Sequence, residues 1–584
     1  MVIETATDDN DPVTSPVTSP SEPAPAWVAQ YQPGVPATIE VPDEPLGALL
    51  ARATAAGGDE VALEFFGATT SWRSLDDQVS RLAQALRHRY GVRPGDRVAL
   101  LLPNSPQHVI AFYAVLRIGA VVVEHNPLYT ASELGAMFAD HGATVAIAWD
   151  VAAPKIADAG LKHLIAVNLL DAFPTVKRLA LNLPLPSLRA TRDKLHQPMP
   201  GADAWRDVVK GPRLAEDHPS PASEDLAVIQ YTSGTTGSVK GAMLSHRNLF
   251  ANALQGAAWM KDAEDGKEVI YAVLPMFHAF GMTLYLTFGV LKRARIVLFP
   301  NVDIDMILDV ATKRPPTVYC AVPPIYQRTA QRAQERGISL RSARFCISGA
   351  MALTDEVVTL WESVSGGLLV EGYGLTECSP VALGNPFWPT RRTGTVGVPF
   401  PSTLMKVVDP EDPTSEVAQG EIGELLLHGP QVFSGYWHNP DDTAASLLEG
   451  GWLRTGDLVT VDADGFTTIV DRLKELIITG GFNVSPTEVE QALRAEDGIA
   501  DAAVVGLPSS HSGEEVVAAV VAAPGVTLDP DAVRAAARER LAAYKVPRRV
   551  FVVKELPTSM LGKVLRKQVR DAILADLPDP SSPR

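Results

Sequence analysis

Short apolar runs alternate with amphipathic stretches along most of the chain. Between residues 27 and 210, runs at 98–103, 120–124 and 143–149 predict buried strands, and the stretches between them carry apolar residues at helical spacing. Strands separated by helices are typical of a parallel sheet that is covered on both faces. The alternation resumes after residue 246. The pattern therefore predicts an α/β fold whose large domain contains doubly wound mixed sheets.

A smaller sheet and a separate α+β unit are predicted in the second half of the chain. Segments 423–429 and 465–471 have the pattern of antiparallel strands. Beyond them we predict a strand at 475–479, a helix capped by Ser485 and a helix at 529–544. These elements indicate a small α+β domain of about a hundred residues with its own core.

The length of the chain implies several domains, since 584 residues exceed what one hydrophobic core serves. We predict a disordered tail at 1–26, an N-terminal domain at 27–472, a C-terminal domain at 473–574 and a second tail at 575–584. The first 26 residues hold five prolines and five acids but neither lysine nor arginine. They lack the basic start and the apolar core of a signal peptide.

The composition of the chain argues against several classes of function. A formal net charge of −17 argues against a nucleic-acid partner, because phosphate backbones require a basic face. The three cysteines, Cys320, Cys346 and Cys378, are scattered and fit neither a metal-binding spacing nor a disulfide framework. They favour a reducing compartment, so we predict a cytoplasmic protein.

One stretch of the sequence resembles a transmembrane segment. Residues 271–291 contain a single ionisable side chain besides tyrosine, His278, and are long enough to cross a bilayer. Pro275 and Gly281 interrupt the window, and no second span accompanies it. A strand, a turn and a helix inside a large core are therefore expected, and such an apolar element could line a cavity for a hydrocarbon.

Residues 174–205 mix basic and apolar side chains. Two interpretations stay open at this stage. The segment is either a solvated connection or a weak membrane-surface element, and the second would suit a lipid substrate.

A loop of small hydroxyls and glycines has the chemistry of a phosphate cradle. The apolar run 226–231 predicts a strand that leads into it, and Ser245 is the predicted N-cap of the helix that follows. Glycines let backbone N–H groups converge, hydroxyls add donors, and Lys240 adds positive charge. The spacing matches neither G-x-x-x-x-G-K-[ST] nor G-x-G-x-x-G. The loop is therefore predicted to bind phosphates in a fold other than those two.

Two further strand ends are predicted to face the same crevice. Residues 348–350 and 372–377 follow buried strands, and ligands of doubly wound sheets gather at the carboxyl ends of strands.

The run YTSGTTGSVKGAMLSH at 231–246 resembles the AMP-binding signature of the adenylate-forming enzymes, a superfamily of acyl-CoA synthetases, firefly-type luciferases and peptide-synthetase adenylation domains. Further matches, in family order and spacing, are EGYGLTE at 371–377, GELLLHGPQVFSGYW at 423–437, GWLRTGD at 451–457, DRLKELIITGGFNVSPTEVE at 471–490 and PTSMLGKVLR at 557–566. NPLYTASEL at 126–134 and LPMFHAFG at 274–281 look most like the long-chain fatty acyl-CoA synthetases. The resemblance covers residues from about 27 to 573.

The resemblance implies a two-step ligase reaction. ATP would convert a fatty acid, of medium to long chain, into an acyl-adenylate with release of pyrophosphate, and the thiol of coenzyme A would then displace AMP. ATP, Mg²⁺ and coenzyme A are the implied cofactors. Peripheral contact with the inner face of a membrane and a homodimer are left open.

The resemblance also assigns the nucleotide site residue by residue. The implied ligands of the β- and γ-phosphates are Thr232, Ser233, Gly234, Thr235, Thr236, Gly237 and Lys240, and Thr376 would contact the α-phosphate. The adenine would be held by Gly349, Ala350 and Tyr373, with Gly372 and Gly374 beside them. Asp457 and Arg472 would bind the ribose. Glu377 would carry Mg²⁺, a hard cation suited to one carboxylate plus phosphate oxygens.

The remaining implied residues act on the acyl group and on the second half-reaction. His278 would flank the acyl carboxylate and gate its pocket. Lys563 resembles the lysine of a mobile C-terminal lid that reaches the carboxylate and the α-phosphate during adenylation. Lys474 lies at the family's hinge, and rotation about it would replace Lys563 with Gly480 and Gly481, whose bare backbone suits a passing pantetheine arm.

Several relatives share these motifs and stay open as alternatives. They are a fatty acyl-AMP ligase that feeds carrier proteins, an aryl or luciferase-like acid–CoA ligase, a peptide-synthetase module and a non-catalytic binder of acyl groups or nucleotides. An acyl-AMP ligase would normally carry an extra insertion, and a peptide-synthetase module would continue into a carrier domain; neither is evident. Intact Glu377, Asp457, Arg472 and Lys563 speak against a non-catalytic binder.

Overall fold

Two large mixed sheets carry the nucleotide-site motifs. The computed structural model describes residues 25–233, 239–479, 482–509, 513–559 and 562–576. Sheet 1 is parallel except for its last pair, and its seven strands are, in spatial order, Asp203–Ala204, His163–Val167, Val145–Trp149, Arg97–Leu101, Val121–Glu124, Leu226–Ser233 and Val239–Ser245. The predicted strands at 98–103, 120–124 and 143–149 are confirmed within a few residues.

Sheet 2 is parallel at its centre and antiparallel at both edges. Its nine strands are, in spatial order, Val398–Pro399, Val381–Gly384, Leu369–Gly374, Phe345–Ser348, Val318–Ala321, Val269–Ala272, Arg295–Leu298, Val61–Phe65 and Ala68–Ser71. Apolar side chains of both sheets and of the helices around them form one large core, and smaller buried clusters cover the remaining face of sheet 1. The predicted fold class, an α/β fold with large mixed sheets, is confirmed.

Two five-stranded sheets complete the fold. Sheet 3 is antiparallel and contains Leu404–Val408, Gly423–His428, Leu447–Leu448, Trp452–Val461 and Thr467–Arg472. Sheet 4 contains Ile477–Thr479, Phe482–Val484, Ile499–Ser509, Gly513–Ala522 and Arg549–Val553, with its last strand parallel to Gly513–Ala522. Buried clusters confined to residues 477–573 flank sheet 4. The smaller sheet and the α+β unit predicted from the sequence are both confirmed.

The helices surround these sheets. The α-helices of the first two thirds of the chain are Gly47–Gly57, Trp72–His88, Pro106–Arg117, Ala131–His141, Thr175–Ala180, Pro186–Leu195, Trp205–Val208, His246–Trp259, Ile304–Ala311, Pro323–Arg336 and Asp355–Val364. Those that follow are Pro440–Ser446, Pro486–Arg494, Pro530–Arg540 and Arg566–Asp576. Ser245 caps its helix as predicted, because its Oγ accepts the Asn248 N–H at 3.1 Å while Asn248 Oδ1 accepts the Ser245 N–H at 3.0 Å.

The apolar window 271–291 is a strand, a turn and a helix, as predicted. The strand is Val269–Ala272, and the helix runs from Ala279 to Leu291 with π-helical geometry over Met282–Phe288. Within the described ranges, no helix is long and apolar enough to cross a membrane.

Two predicted boundaries in the C-terminal part are wrong. The helix predicted for 529–544 is Pro530–Arg540, because Leu541 takes an extended backbone and buries its side chain. Glu475 does not start a strand; it ends the 3₁₀ turn Leu473–Glu475, where its carboxylate pairs with Arg566. The predicted tails at 1–26 and 575–584 lie largely outside the described residues.

Candidate active site

The phosphate-cradle loop begins where two antiparallel strands of sheet 1 separate. Thr232 faces Lys240 and Ser233 faces Val239 in the register of this pair, and the Thr232 hydroxyl lies 3.5 Å from the Lys240 carbonyl oxygen. The predicted phosphate ligands Gly234, Thr235, Thr236 and Gly237 lie outside the described residues. The structure therefore shows the two strand ends that flank the predicted cradle, with Lys240 on the second strand.

Lys240 is held by an acid and an aromatic ring. Its Nζ lies 2.6 Å from Asp442 Oδ1 and 5.3 Å from the centre of the Tyr436 ring. The Tyr436 hydroxyl donates to Glu377 Oε1 at 2.7 Å, and the Phe433 N–H donates to the Glu377 carbonyl oxygen at 2.8 Å. One tyrosine thus connects the cation of the cradle with the carboxylate expected to carry Mg²⁺.

A buried carboxylate joins sheets 2 and 3. Asp457 is 3% exposed; its Oδ2 accepts the Tyr373 hydroxyl at 2.6 Å, and its Oδ1 lies 3.1 Å from Arg472 Nε. Asp457 and Arg472 are direct partners in the antiparallel pairing of their strands. Burial, followed by the charge of Asp457, raises the pKa of Tyr373 well above its usual range, so the phenol remains a hydrogen-bond donor. An ionised carboxylate in this position can accept two hydroxyl groups of a bound ligand.

Glycines at the strand ends of sheet 2 allow close approach of neighbouring groups to the backbone beside Tyr373. A Cβ at Gly349 would lie 3.1 Å from the Phe280 ring and 3.3 Å from the Gly372 carbonyl oxygen. Ala350 adopts a left-handed backbone with φ of 67° and is exposed. Gly374 is equally constrained, since a Cβ there would collide with the Pro380 carbonyl oxygen. The structure thus brings the predicted adenine-site residues together.

His278 caps the helix that follows the apolar strand. Its Nδ1 accepts the Phe280 N–H at 3.3 Å, which fixes Nδ1 as an acceptor. Burial lowers the pKa of His278 to about 4, so its imidazole is neutral at pH 7. Thr376 lies in the 3₁₀ turn Thr376–Cys378, half-buried and next to Glu377.

Lys563 extends from a tight turn of the C-terminal unit. The turn is closed by the Ser559 N–H bonding to the Lys563 carbonyl oxygen at 2.7 Å and by the Gly562 N–H bonding to the Ser559 carbonyl oxygen at 2.8 Å. A Cβ at Gly562 would lie 3.4 Å from Met351 Sδ, next to Ala350. Burial and the positive charge of Arg472 lower the pKa of Lys563. The C-terminal lysine is therefore placed against the strand ends of sheet 2.

Arg566 ties this turn to the predicted hinge. Its guanidinium pairs with Glu475, contacts Glu490 at 2.8 Å and donates to Thr487 Oγ1 at 3.0 Å. Lys474 sits exposed in the turn Leu473–Glu475, while Gly480 and Gly481 lie outside the described residues. The helix start that directly follows the Lys563 turn is thus joined to the predicted hinge by the pair of Arg566 and Glu475.

Sequence reasoning missed three side chains of this site: Tyr436, Asp442 and Arg566. Tyr436 and Arg566 fall inside the family-like motifs at 423–437 and 557–566, but a motif does not show which side chain contacts which. Asp442 is one of two neighbouring acids after a proline, and nothing in that pattern distinguishes it from a solvated helix start.

Two protein-family models match this chain, one over its large N-terminal part and one over its smaller C-terminal part. Residues 50–437 match the family model described as AMP-binding enzyme, and residues 488–563 match that of the AMP-binding enzyme C-terminal domain. A long-chain-fatty-acid–CoA ligase of Bacillus subtilis (strain 168) is 36% identical over 93% of this chain and 97% of its own length. The enzyme of the same name from Salmonella typhimurium is 36% identical over 93% and 98%.

Solved structures show the same fold. ATP-bound MatB from Rhodopseudomonas palustris superposes with a TM-score of 0.77 at 30% identity, covering 90% of this chain and 98% of its own.

Proposed function

The chain belongs to the AMP-binding enzyme family, and on that premise we propose that it is an ATP-dependent ligase that activates a fatty acid and transfers it to coenzyme A. In the first step a carboxylate oxygen attacks the α-phosphorus of ATP, and pyrophosphate leaves. In the second step the thiol sulfur of coenzyme A attacks the acyl carbon, and AMP leaves. The relatives named above, long-chain-fatty-acid–CoA ligases, support a fatty acid as the substrate.

The convergence of Lys563 on the Asp457–Arg472 pair carries this proposal. The three groups interact electrostatically, although Lys563 belongs to the C-terminal unit and the pair belongs to sheet 3. Asp457 would accept the ribose hydroxyls, which places the α-phosphate near the incoming cation. A cation held against developing negative charge stabilises the transition state of nucleotidyl transfer.

The remaining nucleotide contacts follow from the same arrangement. We propose that Tyr373 stacks on the adenine against the bare backbone at Gly349 and Gly372, and that Thr376 donates to the α-phosphate. The cradle residues 232–237 and Lys240 would hold the β- and γ-phosphates until they leave as pyrophosphate.

The donor set beside the cradle fits Mg²⁺. Glu377 offers a hard carboxylate oxygen that the Tyr436 hydroxyl orients, and Mg²⁺ is usually bound by one or two carboxylates together with substrate phosphates. Bound Mg²⁺ would neutralise phosphate charge. The chain's own part is to fix this carboxylate and to keep Lys240 within reach of the same phosphates.

The acyl chain would lie along the apolar helix Ala279–Leu291. Phe280 closes the adenine side of this helix, and neutral His278 at its start would flank the acyl carboxylate. Burying a hydrocarbon is favourable by about 0.8 kcal/mol per CH₂ group, so an apolar wall is enough to select long acids. Because such acids partition into lipid, peripheral contact with a membrane is part of the proposal.

The C-terminal unit, residues 473–574, would act as a mobile lid that rotates at Lys474. Rotation would remove Lys563 after adenylation and present the 480–481 backbone to the pantetheine arm of coenzyme A. The Arg566 cluster supports this view, since it connects the turn Leu473–Glu475 with the helix that directly follows Lys563.

Pyrophosphate release with acids of graded length, measured with and without coenzyme A, tests the proposal. Sustained release that needs both a medium- or long-chain acid and coenzyme A is expected. Turnover with a carrier protein but not with coenzyme A would identify an acyl-AMP ligase, and preference for aromatic acids would identify an aryl–CoA ligase. Either result would contradict the proposed function.

A further inference from the structure

Within the segment 174–195, four large apolar side chains are exposed along a stretch of ten residues. Val176 is 79% exposed, Leu179 62%, Leu183 51% and Leu185 52%. They are four of the fifteen large apolar side chains that are exposed among the described residues. Isolated exposed leucines are ordinary, but a contiguous group marks a surface that contacts something else. We call these four residues the apolar patch.

The scaffold under the apolar patch is anchored at both ends. Leu181 is only 8% exposed, and the Phe173 ring stacks on the Phe66 ring at 4.3 Å. At the other end the Trp149 indole N–H donates to the Leu195 carbonyl oxygen at 2.9 Å, and His196 pairs with Asp150. The patch is thus exposed on an ordered element, although burying its side chains in the core would have been favourable.

Basic side chains surround the apolar patch. The segment 174–195 holds Lys177, Arg178, Arg189, Arg192 and Lys194 against one acid, Asp193, a formal charge of +4 in a chain whose net charge is −17. Arg189 and Lys194 are exposed. The local charge is therefore opposite to that of the whole molecule, and its complement is an anionic surface.

We propose that the apolar patch and its basic border dock on an anionic phospholipid bilayer. The two helices concerned, Thr175–Ala180 and Pro186–Leu195, are six and ten residues long, too short to span a bilayer but suited to lying in its interface. Leucine and valine side chains enter the acyl boundary while arginine and lysine remain at the phosphates. Of the two interpretations of this segment left open by the sequence, the structure favours the membrane-surface element.

This docking surface rests on the membrane contact of the proposed function and assigns it to particular residues; because vesicle binding is measured without substrates, its failure would leave the ligase chemistry standing. The segment contacts both large sheets, since Lys177 Nζ donates to the Phe66 carbonyl oxygen next to the strand Val61–Phe65 of sheet 2, and the Trp149 indole of sheet 1 donates to the Leu195 carbonyl oxygen. Docking there would hold the whole N-terminal part at the lipid surface, where a poorly soluble acid is concentrated.

Vesicle co-sedimentation of the full chain without substrates tests the proposal. The wild type should bind vesicles of phosphatidylglycerol and phosphatidylcholine in equal parts and fail to bind phosphatidylcholine alone. It should be released as salt rises from 0.1 to 0.5 M, since the screening length falls from about 10 Å to about 4 Å. Leu179→Ser with Leu183→Ser should weaken binding at least about tenfold, because two apolar side chains no longer enter the bilayer. Arg189→Gln with Lys194→Gln should weaken it about fivefold per charge removed.

Leu128→Ser is the matched control, since Leu128 is 63% exposed but lies far along the chain from the patch. It should bind as the wild type does, and all variants should keep the wild-type melting temperature and pyrophosphate release in solution. Equal vesicle binding by the wild type and the Leu179/Leu183 variant would overturn the proposal, as would failure of the wild type to bind anionic vesicles. A wild-type dimer that the Leu179/Leu183 variant lacks, with unchanged vesicle binding, would assign the patch to a second copy of this chain instead.

Discussion

The ammonium group of Lys240 lies 2.6 Å from the Asp442 carboxylate and above the ring of Tyr436. Lys240 is 9% exposed, whereas the Asp442 side chain is 36% exposed, so the ion pair is only partly shielded from solvent. Lys240 also ends the loop proposed to hold phosphates. Bound phosphates and Asp442 would therefore compete for the same cation.

Replacing Asp442 by Asn should strengthen ATP binding. The ammonium would no longer have to leave a carboxylate, and a partly exposed ion pair of this kind is worth up to about 1 kcal/mol. We expect the KM for ATP to fall about two- to fivefold with little change in kcat, measured by pyrophosphate release. Asp441→Asn changes the neighbouring acid and should leave KM unchanged. A higher KM in Asp442→Asn would mean that Asp442 positions Lys240 for the phosphates.

Lys563→Ala should abolish adenylation and spare the second step. Removing one donor to a developing charge costs about 3 kcal/mol, or about a hundredfold in rate. The two steps are separated by measuring acyl-AMP formation, and then acyl-CoA formation from supplied acyl-AMP. Acetylation of Lys563 removes the same charge and should have the same effect. Equal loss of both steps would count against the assigned role.

Lys474→Pro should leave adenylation intact and block transfer to coenzyme A. Proline fixes φ near −65°, which suits the present 3₁₀ turn Leu473–Glu475 but prevents the rotation that the second step requires. The two half-reactions are assayed as for Lys563, with Lys474→Ala as the control that keeps the backbone free. Retained thioester formation in Lys474→Pro would refute the hinge.

Glu371→Gln should stabilise the protein at alkaline pH. Burial raises the pKa of Glu371 from 4.5 to about 8, so the folded state retains a proton that the unfolded state loses. This contribution is present below pH 4.5 and is lost as pH rises to 8, at a cost of up to about 5 kcal/mol. Glutamine is neutral throughout, so the variant should match the wild type near pH 5 and exceed it near pH 8.

The measurement for Glu371→Gln is the melting temperature across that pH range. Glu421→Gln, which changes an exposed carboxylate, should follow the wild type at every pH. A difference between Glu371→Gln and the wild type that does not grow with pH would show that the carboxyl group is already ionised at pH 5.

The strands and the site residues were predictable from the sequence for different reasons. Strands such as Val145–Trp149 are short, continuous apolar runs, which are typical of a parallel sheet buried on both faces. The approach of Gly349, Tyr373 and Asp457 followed from the rule that strand ends share an edge and from the family resemblance, because no local pattern connects residues so far apart. The ion pair of Asp442 with Lys240 could not be predicted in this way, because it depends on how two elements far apart in the sequence pack together.

Helix ends in the C-terminal unit were predicted less well. The helix Pro530–Arg540 stops where Leu541 turns into the core, although the sequence beyond it still favours a helix. The position of Gly562, the neighbour of Lys563, against Met351 depends on how two domains pack, and periodicity carries no information about that contact.

The central claim is that the Thr232–Lys240 cradle handles pyrophosphate as a leaving group, and the nucleotide product tests it most directly. The full chain is mixed with ATP, Mg²⁺ and a long-chain acid without coenzyme A, quenched, and analysed for AMP, ADP and acyl-AMP; coenzyme A is then added. We predict acyl-AMP and pyrophosphate in equal amounts before the addition, with AMP and acyl-CoA appearing together after it. ADP as the nucleotide product would contradict the account.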